Sequence, residues 1–133
     1  MRRITPVTLV LLSTLFLSAA IPAPAAERHG IARIWKGRTL AEKADAYEKY
    51  LGETGIPMIL ATPGNLGVQM LRRDDGREVE FVVISIWQSI EAVQKFAGPD
   101  YKKAVILERD REFLVTVEPN VLHYDIVKLE SRK

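Results

Sequence analysis

Glu80-Phe81-Val82-Val83-Ile84-Ser85-Ile86-Trp87-Gln88-Ser89 runs directly into Ile90-Glu91-Ala92-Val93-Gln94-Lys95-Phe96-Ala97-Gly98. The first half is apolar and rich in β-branched residues, which suits a strand buried on both faces. At Ser89 the period changes. Ile90, Val93 and Phe96 or Ala97 recur at helical spacing and share one face. Ser89 is an N-cap candidate, because its hydroxyl can accept from an unpaired first-turn amide. Glu91 suits the positive end of the helix dipole. A strand therefore ends on Trp87 and turns into a short helix. An aromatic at such a junction either borders a cleft or fills the core.

Working outward, Leu66 to Arg73 reads as the partner strand, and Asp74-Asp75-Gly76-Arg77 as the hairpin turn, on its Asp-Gly signal. Upstream, Ile31-Ala32-Arg33-Ile34-Trp35-Lys36 reads as a strand that Gly37 ends. Ala32 and Ile34 face one way; Ile31, Arg33 and Trp35 face the other. An arginine between apolar neighbours suits a polar cavity, a subunit contact or an exposed edge. Thr39-Leu40-Ala41-Glu42 has the form of a capping box. Leu40, Ala44, Tyr47 and Leu51 follow on one helical face, ended by Gly52 or Gly55. Tyr47 and Tyr50 read as packing residues, and Ile56 to Leu60 as a short apolar turn.

Downstream, Gly98-Pro99-Asp100 is expected to restart a helix, with Pro99 at its first position. Tyr101, Ala104, Val105 and Leu107 would form its inner face. Glu108 to Glu112 reads as a solvated charged face, and Phe113 to Val115 as a return to the core. Pro119-Asn120 introduces a last alternating strand over residues 121–127. The order is βαβ, then βαβ: an α+β domain with a four-stranded antiparallel sheet and helices on one face. Its second face is expected to carry Trp35, Val83, Trp87 and Val121. Such a face is too apolar for water, so a homodimer is expected.

The chain has 133 residues, enough for one domain. Met1-Arg2-Arg3, an apolar stretch to Ile21 and Pro22-Ala23-Pro24-Ala25-Ala26 have the layout of a secretory signal peptide. The reading is a leader over residues 1–26, cleaved after Ala25 or Ala26, and a domain over residues 27–133. A retained membrane anchor is the alternative; Pro6 and Ser13 interrupt its run. The mature protein is then periplasmic or secreted, with no membrane attachment after cleavage. Losing Arg2 and Arg3 lowers the 19 basic residues to 17, equal to the 17 acidic ones. The basic balance belongs largely to the leader and gives no support for nucleic-acid binding. With zero Cys there is neither a disulfide nor a lipidated cysteine.

Ile31-Ala32-Arg33-Ile34-Trp35-Lys36-Gly37, Thr62-Pro63-Gly64-Asn65-Leu66-Gly67, Ser85-Ile86-Trp87-Gln88-Ser89-Ile90-Glu91-Ala92, Phe96-Ala97-Gly98 and His123-Tyr124 come in an order and spacing that resemble the antibiotic biosynthesis monooxygenase domain of the dimeric α+β barrel superfamily. The likeness covers about residues 30–128. It implies a ferredoxin-like fold and a cavity between sheet and helices, closed by a second copy. Some members oxidise polycyclic phenols with oxygen and neither metal nor flavin. Others cleave heme, and several have no known activity. Quinone-forming members place an Asn four residues before the strand-end Trp and a Tyr six after it. Trp87 matches, but those positions are Val83 and Val93 here. Heme-cleaving members use a Trp in the second helix and a His about ten residues on. These positions look like Phe96 and Val105, so heme cleavage is not expected.

No metal cluster, nucleotide loop or nucleophile motif is legible, and no cofactor is expected. His123 either acts as a base near neutral pH or is a satisfied structural residue; Asp125, on the same face, could orient it. Arg33 would hold an anionic or phenolate ligand, and Trp35 and Trp87 would wall an aromatic one. Asn65, in a stretch that carries the resemblance, completes the candidate ligand contacts. The catalytic candidates are His123 and Trp87. Two functions follow: a cofactor-independent monooxygenase acting on a small aromatic molecule, or a non-catalytic binder of a small hydrophobic molecule in the cell envelope.

Overall fold

A computed structural model describes residues 29–132, so the expected leader lies outside the described residues. The elements are β1 (Ile31–Leu40), α1 (Ala41–Glu53), α2 (Gly55–Ala61), β2 (Asn65–Asp75), β3 (Glu78–Trp87), α3 (Ile90–Ala97), α4 (Asp110–Phe113), β4 (Leu114–Val117) and β5 (Leu122–Asp125). The sheet is antiparallel, in the order β2-β3-β1-β4, with β5 also on β1. This is the expected α+β, split-βαβ arrangement with one change: five strands stand where four were expected.

The change lies at Pro119. β4 pairs with β1 at Gly37 to Thr39, and β5 pairs with it at Ile31 to Ile34. Between them Glu118–Val121 spans the stretch where β1 has only Trp35 and Lys36, so the last strand bulges and splits. Proline has no N–H for the ladder, which places such a break there. The bulge pairs outward instead: Ala104 N–H donates to Pro119 O at 2.9 Å, and Val121 N–H to Lys102 O at 2.8 Å. Those bonds also explain why residues 99–107 do not form the expected helix. The backbone groups a helix would use near Lys102 and Ala104 are committed to the bulge. Tyr101, Ala104 and Leu107 still pack against the core.

The strand-to-helix junction forms as expected. Ser89 Oγ accepts from Ala92 N–H at 3.2 Å, and Gly98 ends α3 at φ 80°, a conformation that favours glycine. The hairpin loop is Gly76-Arg77, between the paired Asp75 and Glu78. Gly76 has φ 71° and Arg77 does not take positive φ, which matches a type II′ rather than a type I′ turn.

Two readings around β1 are corrected. Gly37 does not end the strand; it pairs with Phe81 and Val117 within it. A Cβ there would lie 2.5 Å from Cη2 of Trp35, so the glycine makes room for the indole. The Thr39 capping box does not form either. Pairing continues to Leu40 opposite Glu78, which keeps Thr39 in the ladder, and Ala41 N–H is capped by Arg77 O of the hairpin at 2.9 Å. Thr39 Oγ1 is buried without a hydrogen-bond partner among the described residues.

The helices cover the sheet face that carries Arg33, Trp35, Val79, Phe81, Val83, Ser85 and Trp87, all buried. α1 contributes Ala44, Tyr47 and Leu51, and α3 contributes Ala92 and Val93. Burying a large apolar side chain is worth roughly 1.5–3 kcal/mol, so packing on the sheet holds these short helices more than propensity does. The expectation that Trp35, Val83, Trp87 and Val121 stand on the open face is therefore corrected, because they form the core of the single chain. The open face carries Ala32, Ile34, Val82, Ile84 and Ile86 instead, half-buried by their neighbours, with Leu122 and Tyr124 exposed beside them.

Candidate functional site

Between the covered face and the helices lies a recess. Its floor is Arg33 and Trp35 of β1 with Ser85 and Val83, their register partners on β3. α1 and α2 close one side through Tyr47, Leu51, Ile56 and Ile59. Phe96 of α3 closes another, and Val105, Leu107 and Asp110 complete the wall. The recess encloses about 490 Å³ of empty space, part of it open to solvent at the mouth.

Arg33 is 3% exposed. Its Nη2 donates to Lys103 O at 3.0 Å, and its guanidinium lies 5.6 Å from the centre of the Phe96 ring. Burial lowers its pKa to about 10, so it stays charged at neutral pH. Its Nε has no hydrogen-bond partner among the described residues, and neither has the buried Nε1 of Trp35.

Trp87 stands one layer behind. It is fully buried, donates from Nε1 to Ser85 Oγ at 2.8 Å and stacks on Phe96 with ring centres 5.7 Å apart. Ser85 and Phe96, not Trp87, present themselves to the recess. His123 lies opposite Arg33 in the β1–β5 pair but outside the lining. Its ring meets Tyr101 edge-on at 5.1 Å, and its Nε2 is buried and unpartnered among the described residues. Burial first, then the positive charges of Arg33 and Lys102, lower its pKa, which favours the neutral imidazole. Asp125 is exposed and faces Ile31 across the same pair. Asn65 serves the backbone: Nδ2 donates to Ile86 O at 3.0 Å, and Oδ1 accepts from Gly67 N–H at 3.0 Å. That clamp sits at the register shift where β2 begins. Of the sequence candidates, Arg33 and Trp35 meet in the recess; Trp87, His123 and Asn65 stand around it.

One polar pair was not foreseen. Asp110, within the supposed solvated run, is 2% exposed. Its Oδ1 accepts from Tyr47 OH at 3.0 Å, and its Oδ2 from Leu107 N–H at 2.7 Å. Burial raises both pKa values, and the Asp110 charge adds to the rise at Tyr47. The available signal was Leu107, Asp110 and Phe113 at three-residue spacing, which puts all three on one side of a turn.

A recess under helices on an antiparallel split-βαβ sheet defines a small-molecule-binding class of α+β domain. The sequence model of the antibiotic biosynthesis monooxygenase family matches residues 31–108, so the chain belongs to that family. Solved structures agree on the fold. A candidate antibiotic biosynthesis monooxygenase from Bacillus cereus aligns over 77% of this chain and 97% of its own, with 14% identity and TM-score 0.56. A protein of unknown function from Nitrosomonas europaea aligns over 82% and 99%, with 13% identity and TM-score 0.59. A heme-degrading protein from Mycobacterium tuberculosis aligns over 77% and 96%, with 22% identity and TM-score 0.54. No curated protein matches the chain. Among the described residues no group of three or more His, Cys, Asp or Glu could hold a metal, and no helix is long and apolar enough to cross a membrane.

Proposed function

We propose that the recess binds a small aromatic molecule and that the protein acts on it as a monooxygenase without a metal or flavin of its own. The observation that carries this reading is the lining itself. Trp35 and Phe96 offer flat surfaces, aliphatic side chains from two helices make the wall largely apolar, and a few polar groups converge on the floor. Family membership supplies the reaction class. For an electron-rich phenol, one oxygen atom of O2 replaces ring C–H to give the quinone. The other leaves as water, and the substrate itself supplies the electrons.

A porphyrin does not fit this lining. It contains no His, Cys or Met to ligate iron, and the Tyr47 hydroxyl is engaged by Asp110. The heme of the mycobacterial neighbour is not carried over.

The second reading, a non-catalytic binder, is favoured by the absence of His123 from the lining and by Val83 within it. Incubation with 1-naphthol under 18O2 separates the two. A monooxygenase forms 1,4-naphthoquinone carrying one 18O atom faster than the uncatalysed control, whereas a binder protects the naphthol or leaves its rate unchanged. The open sheet face, with Ile34, Val82, Ile84, Ile86, Leu122 and Tyr124, supports a homodimer through that face. Light scattering should report twice the chain mass; a stable monomer at micromolar concentration overturns it.

A further inference from the structure

The recess is unequal in how it treats its polar atoms. Trp35 Nε1 and Arg33 Nε are buried donors without acceptors among the described residues. They come from positions two apart on one face of β1, whose Cα atoms lie about 7 Å from each other. Ser85, opposite Arg33, accepts from Trp87 Nε1 and keeps its own hydroxyl proton to donate. Arg33 keeps its charge although its partners among the described residues are one backbone carbonyl and one ring, and no carboxylate. A buried guanidinium in that state costs stability, and a buried donor without an acceptor adds to the cost. Three donors and one uncompensated positive charge on a single floor call for an acceptor that carries negative charge. Asp110 borders the same recess, but both its oxygens already accept hydrogen bonds.

We propose that the ligand enters with an anionic oxygen, carboxylate or phenolate, held by Arg33 Nε and Trp35 Nε1, with its flat apolar body toward Phe96 and the mouth. This rests on the small-molecule reading of the recess and adds the charge and the orientation of what binds there. The head group then sits at the floor, and the body occupies the open side of the recess, whose empty volume is about 490 Å³. The arginine is then a residue kept for binding at the expense of stability. That makes a prediction of opposite sign from a structural role. Arg33→Met preserves much of the volume, removes the buried charge, and should leave the melting temperature unchanged or raise it.

Calorimetric titration with benzoate, benzamide, 4-nitrophenolate and 4-nitroanisole tests the idea. The parent should bind at least one anion about tenfold or more tighter than its neutral counterpart, as expected for one charge-assisted pair; which anion wins distinguishes carboxylate from phenolate. Arg33→Met should abolish that preference without a lower melting temperature. Trp35→Phe, which removes only the N–H and part of the ring, should weaken the anion severalfold and leave the neutral compound unchanged. Equal binding of anion and neutral compound overturns the proposed head group while leaving the small-molecule site standing. If none of the four binds, the head group and the site fall together. A destabilised Arg33→Met that still binds the anion assigns Arg33 a structural role and overturns the proposal.

Discussion

The two polar ends of the recess are built from similar materials and finished differently. At one end Tyr47 and Asp110 are buried together, and hydrogen bonds of 3.0 and 2.7 Å occupy both carboxylate oxygens. At the other, Arg33 and Trp35 are buried too, yet each keeps a donor unpaired among the described residues. Both arrangements require desolvating polar groups, which costs a few kcal/mol without compensation. Among the described residues, only the first recovers that cost. A satisfied buried pair ties α1 to the turn before β4 and acts as structure. An unsatisfied pair weakens the fold until something else completes it.

Asp110→Ala probes the satisfied end and carries the largest expected effect. It orphans a buried donor, Tyr47 OH, and a partly buried one, Leu107 N–H, and should lower unfolding free energy by about 3 kcal/mol at roughly 1–3 kcal/mol per donor. Urea titration reads it. A loss below about 0.5 kcal/mol would erase the contrast with Arg33→Met, where no loss is expected.

Gly37→Ala probes the other end sterically. The new methyl meets the Trp35 ring at 2.5 Å, so the indole must shift, at about 1–3 kcal/mol for overpacking. Because Trp35 lines the recess, ligand affinity should fall together with stability. Unchanged tryptophan fluorescence and affinity would show that the indole does not depend on this glycine.

His123 offers the gentlest test, since it senses Arg33 without lining the recess. Its pKa is lowered from the ordinary 6.5 by burial first and by Arg33 second. The unfolded chain then binds more protons than the folded one in the window between the lowered value and 6.5. Stability should therefore fall as pH drops from 6.5 through the folded pKa, and His123→Gln should flatten that slope. In Arg33→Met the His123 pKa should rise but stay below 6.5, because burial persists. An NMR titration showing no rise would mean that the guanidinium charge is already neutralised, and would undercut the unpaired end.

Much of the frame was legible because it is local. The Val82 to Trp87 run, the Ser89 cap, the Asp75-Gly76 turn and the Ala44, Tyr47 and Leu51 stripe each follow from spacing and side-chain chemistry. Arg33 and Trp35 shared a face by alternation, and the structure keeps them together. The readings that changed all involve a distant partner. Thr39 looked like a cap, but the hairpin carbonyl of Arg77 caps α1. Pro99 looked like a helix start, but Pro119 and Val121 claim the nearby backbone. Asp110 looked solvated, although Tyr47, 63 residues earlier, waits for it.

By itself, the sequence determined the order of elements, the family resemblance and which residues share each side of a strand, because all of these depend on period and local propensity. It did not determine which side the helices cover. Trp35, Val83 and Trp87 would satisfy either a subunit contact or an internal core, and alternation is symmetric between the two. Only the packing of α1 and α3 broke that symmetry, placing the aromatics inside and leaving Ile34, Ile84 and Ile86 on the open face. The same packing left Arg33 and Trp35 each with a buried donor unpaired among the described residues. That outcome depends on the relative positions of strands and helices far apart in the chain.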